Sequence, residues 1–189
     1  MIKVGILVGS LRNESFSKKL GRYVAALLPD GYVAEFVDLN LPLYNQDYDD
    51  DNRVPPAYTA FRNTMKEIHA VLFVTPEYNR SVPAVLKNAL DGGSRPYGSS
   101  VWNGKPAAII SNSPSKLSGF GANHHLRQSL VFLNMPVMQQ PEAYIGEVAD
   151  LLDEQGAIHN EETVKFLQSF VDAFVVWINA HATWRGLEG

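Results

Sequence analysis

The residues best suited to chemistry in this 189-residue chain follow its first apolar run. They form the segment Gly9-Ser10-Leu11-Arg12-Asn13-Glu14-Ser15-Phe16-Ser17, which sets three hydroxyls and a guanidinium before a segment of helical periodicity. The free N–H groups and positive dipole end of a helix start favour an anion, and Arg12 adds a charge-assisted hydrogen bond. The simpler alternative is a capped helix, with Ser15 as the N-cap and the other polar side chains solvated.

The glycine content of this loop indicates which kind of anion it would bind. The segment has neither the G-x-x-x-x-G-K-[ST] pattern of a nucleoside triphosphate loop nor the G-x-G-x-x-G pattern of a dinucleotide site. A single glycine with several hydroxyls suits a terminal phosphate monoester better than a pyrophosphate, which needs close backbone approach. Asp38 lies at the end of the second predicted strand, where a ribose-binding acid would stand. Without the glycines we interpret Asp38 as a solvated strand end.

Two further polar loops also follow apolar runs. Residues 75–83 combine a stiff proline frame with the ring of Tyr78 and the amide of Asn79, which both donates and accepts. A planar heterocycle with carbonyl and ring-nitrogen groups along its edge needs this combination. The alternative is an ordinary proline-bounded turn with Tyr78 at the surface. Residues 111–119 are polar and lead into a helical segment, so they are candidates to line the same ring.

Apolar runs alternate with segments of helical periodicity about five times, which predicts the elements that must position these loops. The predicted strands are Ile2–Val8, 32–39, 70–74, 107–110 and one that begins at 136–138. The predicted helices are one carrying Leu20, Val24, Leu27 and Leu28, one over 57–68, one opened by Pro83, one over 121–133, and a last one with Val164, Leu167, Val171, Phe174 and Ile178 on one face.

This alternation predicts an α/β fold with three layers, a doubly wound five-stranded parallel sheet of flavodoxin-like type. Residues 1–189 are expected to form a single domain of this kind. In such sheets ligands bind beyond the carboxyl ends of the strands, near the point where the strand order reverses. We therefore expect the loops after the first, third and fourth strands to lie together.

The composition limits the classes of function. The formal net charge is −4 and the chain has no cysteine. An acidic chain has no general electrostatic reason to bind nucleic acid or an anionic membrane, and the lack of cysteine excludes disulfides, thiolate catalysis and metal–sulfur centres. No apolar run approaches the roughly 20 residues of a membrane span, and polar residues from Gly9 end the first run too early for a signal peptide. We predict a cytoplasmic protein.

Three motifs resemble those of the NADPH-dependent FMN reductase family, whose flavodoxin-like branch includes chromate, quinone and azo-dye reductases. They are Gly9-Ser10-Leu11-Arg12-x-x-Ser15, then Thr75-Pro76-Glu77-Tyr78-Asn79-x-Ser81-x-Pro83 with Leu86-Lys87-Asn88-Ala89-Leu90-Asp91, and finally His125-Leu126-Arg127-Gln128. They occur in the family's order and spacing, over about residues 1–150. The resemblance implies that FMN is the cofactor, with its phosphate on Ser10, Arg12, Ser15 and Ser17, its isoalloxazine bordered by Pro76, Glu77, Tyr78 and Asn79, and a further flavin contact from Ser113.

The same resemblance implies an activity. NADPH or NADH would pass a hydride to the flavin, and a small-molecule acceptor would then take the same place in a ping-pong cycle. The acceptors implied are quinones, azo compounds, metal oxyanions such as chromate, and free flavin. No side chain need be catalytic and no metal is required, and a homodimer or homotetramer is expected. The alternative function is a flavodoxin-type electron carrier without NAD(P)H turnover.

Other ionisable side chains have weaker cases. Glu77 is the only carboxylate considered for a chemical role, and a loop carboxylate is more often solvated or ion-paired. His124 and His125 are adjacent on a predicted helix and cannot both point the same way, and no spaced carboxylate completes a metal site with them. The three aspartates at 49–51 are predicted to be a solvated charge run in a loop.

Overall fold

The computed structural model describes residues 1–182, in which five parallel strands form one sheet. The strands are β1 (Ile2–Val8), β2 (Tyr32–Phe36), β3 (Ala70–Pro76), β4 (Ala107–Asn112) and β5 (Ala143–Ile145). Their order across the sheet is β2-β1-β3-β4-β5, which is the flavodoxin-like order with its switch point between β1 and β3. The predicted doubly wound parallel sheet is confirmed.

Helices cover both faces of this sheet. In the described part of the chain they are α1 (Phe16–Ala25), α2 (Asp47–Asp50), α3 (Pro56–Glu67), α4 (Ala84–Gly93), α5 (Phe120–Phe132), α6 (Val148–Leu151) and α7 (Glu161–Ala182). The core on one face includes side chains of α1 and α7, and the core on the other includes side chains of α3, α4 and α5. The result is the predicted three-layer arrangement.

Successive residues of each central strand belong to opposite cores. Ile6 and Leu72 pack toward α1 and α7, whereas Leu7 and Phe73 pack toward α3, α4 and α5. All four side chains are at most 2% exposed. A strand buried on both faces reads as a continuous apolar run, and each fully buried large side chain contributes roughly 1.5–3 kcal/mol to folding. The sheet is therefore a rigid support for the loops at its carboxyl edge.

The last helix, α7, buries the face that the sequence predicts. Leu167, Val171, Phe174 and Ile178 are each at most 1% exposed, and Val164 is partly buried against the same core. At 22 residues α7 is long, yet among residues 1–182 no helix is both long and apolar enough to cross a membrane.

The fifth strand differs from its prediction. Ala143–Ile145 forms the ladder with β4, while in the segment 136–138 only Val137 makes an isolated bridge, to Ala107. Two hydrogen bonds accompany that bridge, from the Ala107 amide to the Pro136 carbonyl and from the Met138 amide to the Ala107 carbonyl, at 2.9 and 2.8 Å. Regular pairing with β4 begins only at Ala143, beyond Pro141.

Two other boundaries also differ. β2 ends at Phe36 rather than at residue 39, although Val37 and Leu39 remain buried beyond it. Helix α1 ends at Ala25, so Leu27 and Leu28 pack against the core from the segment after the helix. In both places apolar side chains remain buried beyond the last residue of the strand or helix. The apolar pattern therefore predicts each element to be longer than it is.

The loop over residues 40–55 is the clearest departure from expectation. It contains the short helix α2, and the prediction that its three aspartates are solvated is wrong for Asp49, whose side chain is 7% exposed. Both oxygens of Asp49 accept hydrogen bonds from Arg62, at 2.7 and 2.8 Å. The Tyr44 hydroxyl donates to the same carboxylate at 2.8 Å, and the Arg62 Nε donates to the carbonyl of Gly92 at 3.0 Å. This network fixes the loop to α3 and α4.

Candidate functional site

Three loops meet at the carboxyl edge of the sheet and enclose a cavity of about 290 Å³. Its lining includes eight of the nine residues singled out from the sequence, which are Ser10, Arg12, Ser15, Ser17, Pro76, Glu77, Tyr78 and Ser113. The ninth, Asn79, is not part of the lining. Phe16, Asn112 and Pro114 complete the cavity; Asn112 and Pro114 belong to the predicted 111–119 loop but were not singled out, and Phe16 was not predicted. Asn112 was recognisable as a polar residue at the end of a buried strand, but nothing in the sequence distinguishes Phe16 from an ordinary core residue.

The end of the cavity near α1 is rich in hydrogen-bond donors. Ser15 is the N-cap of α1, and its hydroxyl oxygen accepts from the Lys18 amide at 3.2 Å, so its hydrogen remains available to a ligand. Among residues 1–182, the amides of Phe16 and Ser17 have no acceptor and Arg12 has no ion pair. Capping and anion binding are thus compatible here, since the cap uses only one lone pair of Ser15.

The Ser17 side chain lines the cavity and is already hydrogen-bonded within the protein. Its hydroxyl, 2% exposed, donates to the side-chain carbonyl of Asn112 at 3.0 Å, and the Asn112 amide donates to the Thr75 carbonyl at 3.2 Å. The hydroxyl hydrogen is therefore engaged within the protein, and only the Ser17 amide is left to donate to an anion. The chain of bonds ties α1, β4 and β3 together directly beneath the cavity.

Gly9 is needed where β1 ends because the neighbouring strand is so close. A Cβ at this position would lie 3.2 Å from Thr75 Oγ1 and 3.3 Å from Pro76 Cδ. These distances are tighter than ordinary van der Waals contact, so a side chain would push the first loop away from the third. A glycine here brings the anion-binding loop and the Pro76 loop together.

A tight turn in the Pro76 loop exposes the ring of Tyr78 to solvent. Tyr78 and Ser81 exchange backbone hydrogen bonds of 3.1 and 2.9 Å around Asn79 and Arg80, which both have positive φ. That is the φ pattern of a type I′ turn, and asparagine tolerates it well. Asn79 is therefore explained by the turn rather than by the cavity. Tyr78, 58% exposed at the cavity wall, offers an aromatic surface for stacking.

Glu77 is bound to the protein rather than solvated. One of its oxygens accepts a hydrogen bond from the Ala122 amide at 3.0 Å, and the other lies 3.7 Å from the Arg80 guanidinium, with the side chain 12% exposed. Ala122 is in the first turn of α5, where a negative charge is favourable because of the helix dipole. Glu77 thus ties the Pro76 loop to α5, which argues against a role in proton transfer.

We expect Glu77→Ala to lower the free energy of unfolding by about 1–2 kcal/mol, the usual effect of removing a partner from a helix N-terminus. Glu77→Gln should lower it less, because the amide oxygen still accepts from Ala122. Urea denaturation of the flavin-free protein measures both. Glu14→Ala is the control, since Glu14 is an 80% exposed carboxylate 3.7 Å from Lys19. Equal losses for Glu77→Ala and Glu14→Ala would show that the contact with α5 is not stabilising.

The two neighbouring histidines diverge, as expected for adjacent helical positions. His124 Nε2 lies 3.0 Å from the Tyr144 hydroxyl, whereas His125 Nδ1 lies 3.0 Å from the Ser81 hydroxyl. Burial, together with the neighbouring negative charge of Glu142, raises the pKa of Tyr144 to about 12. The histidine side chains therefore connect α5 to β5 and to the Pro76 loop separately.

Fold and site together define a flavodoxin-like α/β protein with a donor-rich cavity at the switch point of its sheet. The chain belongs to the NADPH-dependent FMN reductase family, whose family model matches residues 2–150. It is 53% identical over 176 residues to a quinone reductase of Pseudomonas putida, covering 93% of this chain and 94% of that protein. It is 46% identical over 178 residues to a 2-hydroxy-1,4-benzoquinone reductase of Burkholderia sp., covering 94% and 96%.

A solved structure is also similar over nearly the whole chain. FerB, a flavoenzyme NAD(P)H:(acceptor) oxidoreductase of Paracoccus denitrificans, superposes with a TM-score of 0.89 at 39% sequence identity. The match covers 96% of this chain and 99% of FerB. The family that the sequence motifs indicate is therefore confirmed.

Proposed function

We propose that this protein is an FMN-dependent NAD(P)H:quinone oxidoreductase. The observation that carries the proposal is the cavity in which unpaired donors of the first loop lie opposite Tyr78 and Pro76 of the third. Relatives that are 53% and 46% identical are named as quinone reductases, and FerB is named as an NAD(P)H:acceptor oxidoreductase. A cavity with an anion-binding end and an aromatic wall suits a flavin mononucleotide and a flat acceptor.

The residues present fit the two ends of FMN. Arg12, the Ser15 hydroxyl and the free amides of Phe16 and Ser17 would hold the phosphate, since all donate and none needs to give up another partner. Pro76, Tyr78 and Ser113 would frame the ring. When bound there, FMN would supply the redox chemistry, namely hydride transfer from NAD(P)H to an acceptor.

The protein's own contribution would be orientation. Ser17, Asn112 and Thr75 fix the three loops relative to one another through buried hydrogen bonds of 3.0 and 3.2 Å, and Glu77 fixes the Pro76 loop to α5. A rigid frame holds the ring where donor and acceptor can stack on it in turn. Glu77 is not assigned a role in proton transfer, because its carboxylate is already hydrogen-bonded to the Ala122 amide of α5. Hydride transfer through a flavin needs no other acid or base side chain at the reacting atoms.

The deciding experiment is anaerobic mixing of the FMN-loaded protein with NADPH and, separately, with NADH. Flavin absorbance should bleach rapidly and return when a benzoquinone is added, with hydroquinone formed in equal amount. A flavodoxin-type carrier would bind FMN but keep its oxidised spectrum on mixing. A protein that remains colourless after incubation with FMN at micromolar concentration would contradict the proposal.

We also propose that the protein works as a homodimer or homotetramer in the cytoplasm. Val131 and Phe132, at the end of α5, are 76% and 87% exposed, which is unusual for large apolar side chains and is typical of an interface. The lack of cysteine is compatible with a reducing compartment.

A further inference from the structure

A second cavity, of about 480 Å³, lies between α1 and the edge strand β2. Its lining includes Ile6, Val8, Lys18, Arg22, Phe36 and Asp38. We refer to it as the β2 groove. It shares Ser10 with the cavity of the candidate flavin site but otherwise has different walls. Its volume is in the range of sites for small organic ligands.

The apolar part of the β2 groove includes two large side chains that are about half exposed. Phe36 is 47% exposed and Leu11 is 49% exposed, while Ile6 and Val8 are buried. Phe36 lies on β2, at the edge of the sheet, and α1 leaves about half of its ring exposed. A half-exposed aromatic ring above an aliphatic floor is a platform on which a flat ligand can stack.

The polar part of the β2 groove is cationic. Lys18 and Arg22 are one helical turn apart on α1 and therefore lie on the same face. The Lys18 ammonium donates to the Leu11 carbonyl at 3.1 Å and keeps two further donors. Arg22 has no hydrogen bond or ion pair from its guanidinium to any described residue. Asp38, which accepts from the Asn40 amide at 2.9 Å, is the one carboxylate. Two cations and one anion leave a single net positive charge.

From this arrangement we propose that the β2 groove is a binding site for a planar aromatic monoanion, such as an aromatic carboxylate. The ring would stack on Phe36, and the anionic group would pair with Arg22 and Lys18. A single negative charge balances the groove, whereas a dianion would face Asp38 without compensation. The inference rests on the residues of the β2 groove and holds whether or not the neighbouring cavity binds FMN.

The test compares 2-naphthoate with its neutral isostere, 2-naphthamide, by isothermal titration of the FMN-loaded and the flavin-free protein. Naphthoate should bind at least about tenfold more tightly than the amide in both forms, since charge-assisted hydrogen bonds are the strong ones. Its affinity should fall with added salt because the cations are partly exposed. Backbone amide NMR shifts on titration should concentrate in residues 10–22 and 36–39.

Two variants and a control separate the parts of the site. Arg22→Gln should reduce naphthoate affinity at least about fivefold while leaving the amide unchanged, and Phe36→Leu should weaken both ligands while preserving the fold. Lys66→Gln, which removes an exposed cation from α3 on the other face of the sheet, should change neither. Equal binding of naphthoate and naphthamide, unchanged naphthoate affinity in Arg22→Gln, or shifts centred outside the β2 groove would each overturn the proposal.

Discussion

Asp49→Ala should lower the free energy of unfolding by about 3–5 kcal/mol, the usual result of removing one partner from a buried ion pair. Asp49 and Arg62 are 7% and 10% exposed and form two hydrogen bonds of 2.7 and 2.8 Å. Without the carboxylate, the guanidinium keeps only the Gly92 carbonyl as an acceptor among residues 1–182, and the Tyr44 hydroxyl loses the acceptor of its hydrogen bond. Urea denaturation followed by circular dichroism measures the loss.

The control for this prediction is Asp50→Ala. Asp50 has the same charge and lies on the same short helix, but it is exposed, and among the described residues its side chain accepts a hydrogen bond only from Gln46, at 3.1 Å. Its loss should change the free energy of unfolding by less than about 1 kcal/mol. If the two variants lose similar stability, the Asp49–Arg62 pair is not what anchors the loop over 40–55.

The pH dependence of the Asp49 contribution has a definite sign. Hydrogen bonds from Arg62, opposed by burial, hold the pKa of Asp49 below its usual value in the folded protein. The contribution is therefore fully present above the unfolded-state pKa, about 3.9, and is lost as the pH falls through the lower folded-state pKa. The difference between wild type and Asp49→Ala should be constant near neutral pH and shrink only in strong acid.

The sheet could be predicted because its central strands are buried on both faces. Ile2–Val8 is confirmed at both ends, and Ala70–Pro76 and Ala107–Asn112 were found within two residues, since continuous apolar runs bounded by polar loops have few other interpretations. Ala143–Ile145 was missed because a three-residue strand has no periodicity of its own. Its position depends on which backbone N–H and C=O groups of β4 remain unpaired, and the local sequence does not show this.

The candidate site divides in the same way. Which loops meet was predictable, since parallel strands bring their carboxyl ends to one edge. The role of each side chain in the site was less predictable from the sequence. The hydroxyl of Ser17 is used by Asn112, and the carboxylate of Glu77 by the Ala122 amide, and both partners are distant in sequence. Asp49 shows the same limit, because a run of three aspartates does not reveal which one faces Arg62.

Arg12→Ala should weaken FMN binding by about 10- to 100-fold if Arg12 pairs with the phosphate, the effect of losing a charge-assisted contact. Arg12 lines the cavity and has no ion pair within residues 1–182, so its charge is free for a ligand and its removal should not destabilise the fold. Quenching of flavin fluorescence on titration of the flavin-free protein measures the affinity.

Riboflavin, which has the ring but no phosphate, tells a phosphate contact from a general loss of binding. Wild type and Arg12→Ala should bind riboflavin equally, and the preference of the wild type for FMN over riboflavin should largely disappear in the variant. Arg22→Ala is the matched control, because Arg22 lies on α1, the helix that follows the Arg12 loop, but is not part of this cavity's lining. Equal FMN affinity in wild type and Arg12→Ala would remove Arg12 from the site. A parallel loss of riboflavin affinity would mean that Arg12 shapes the loop rather than neutralising the phosphate.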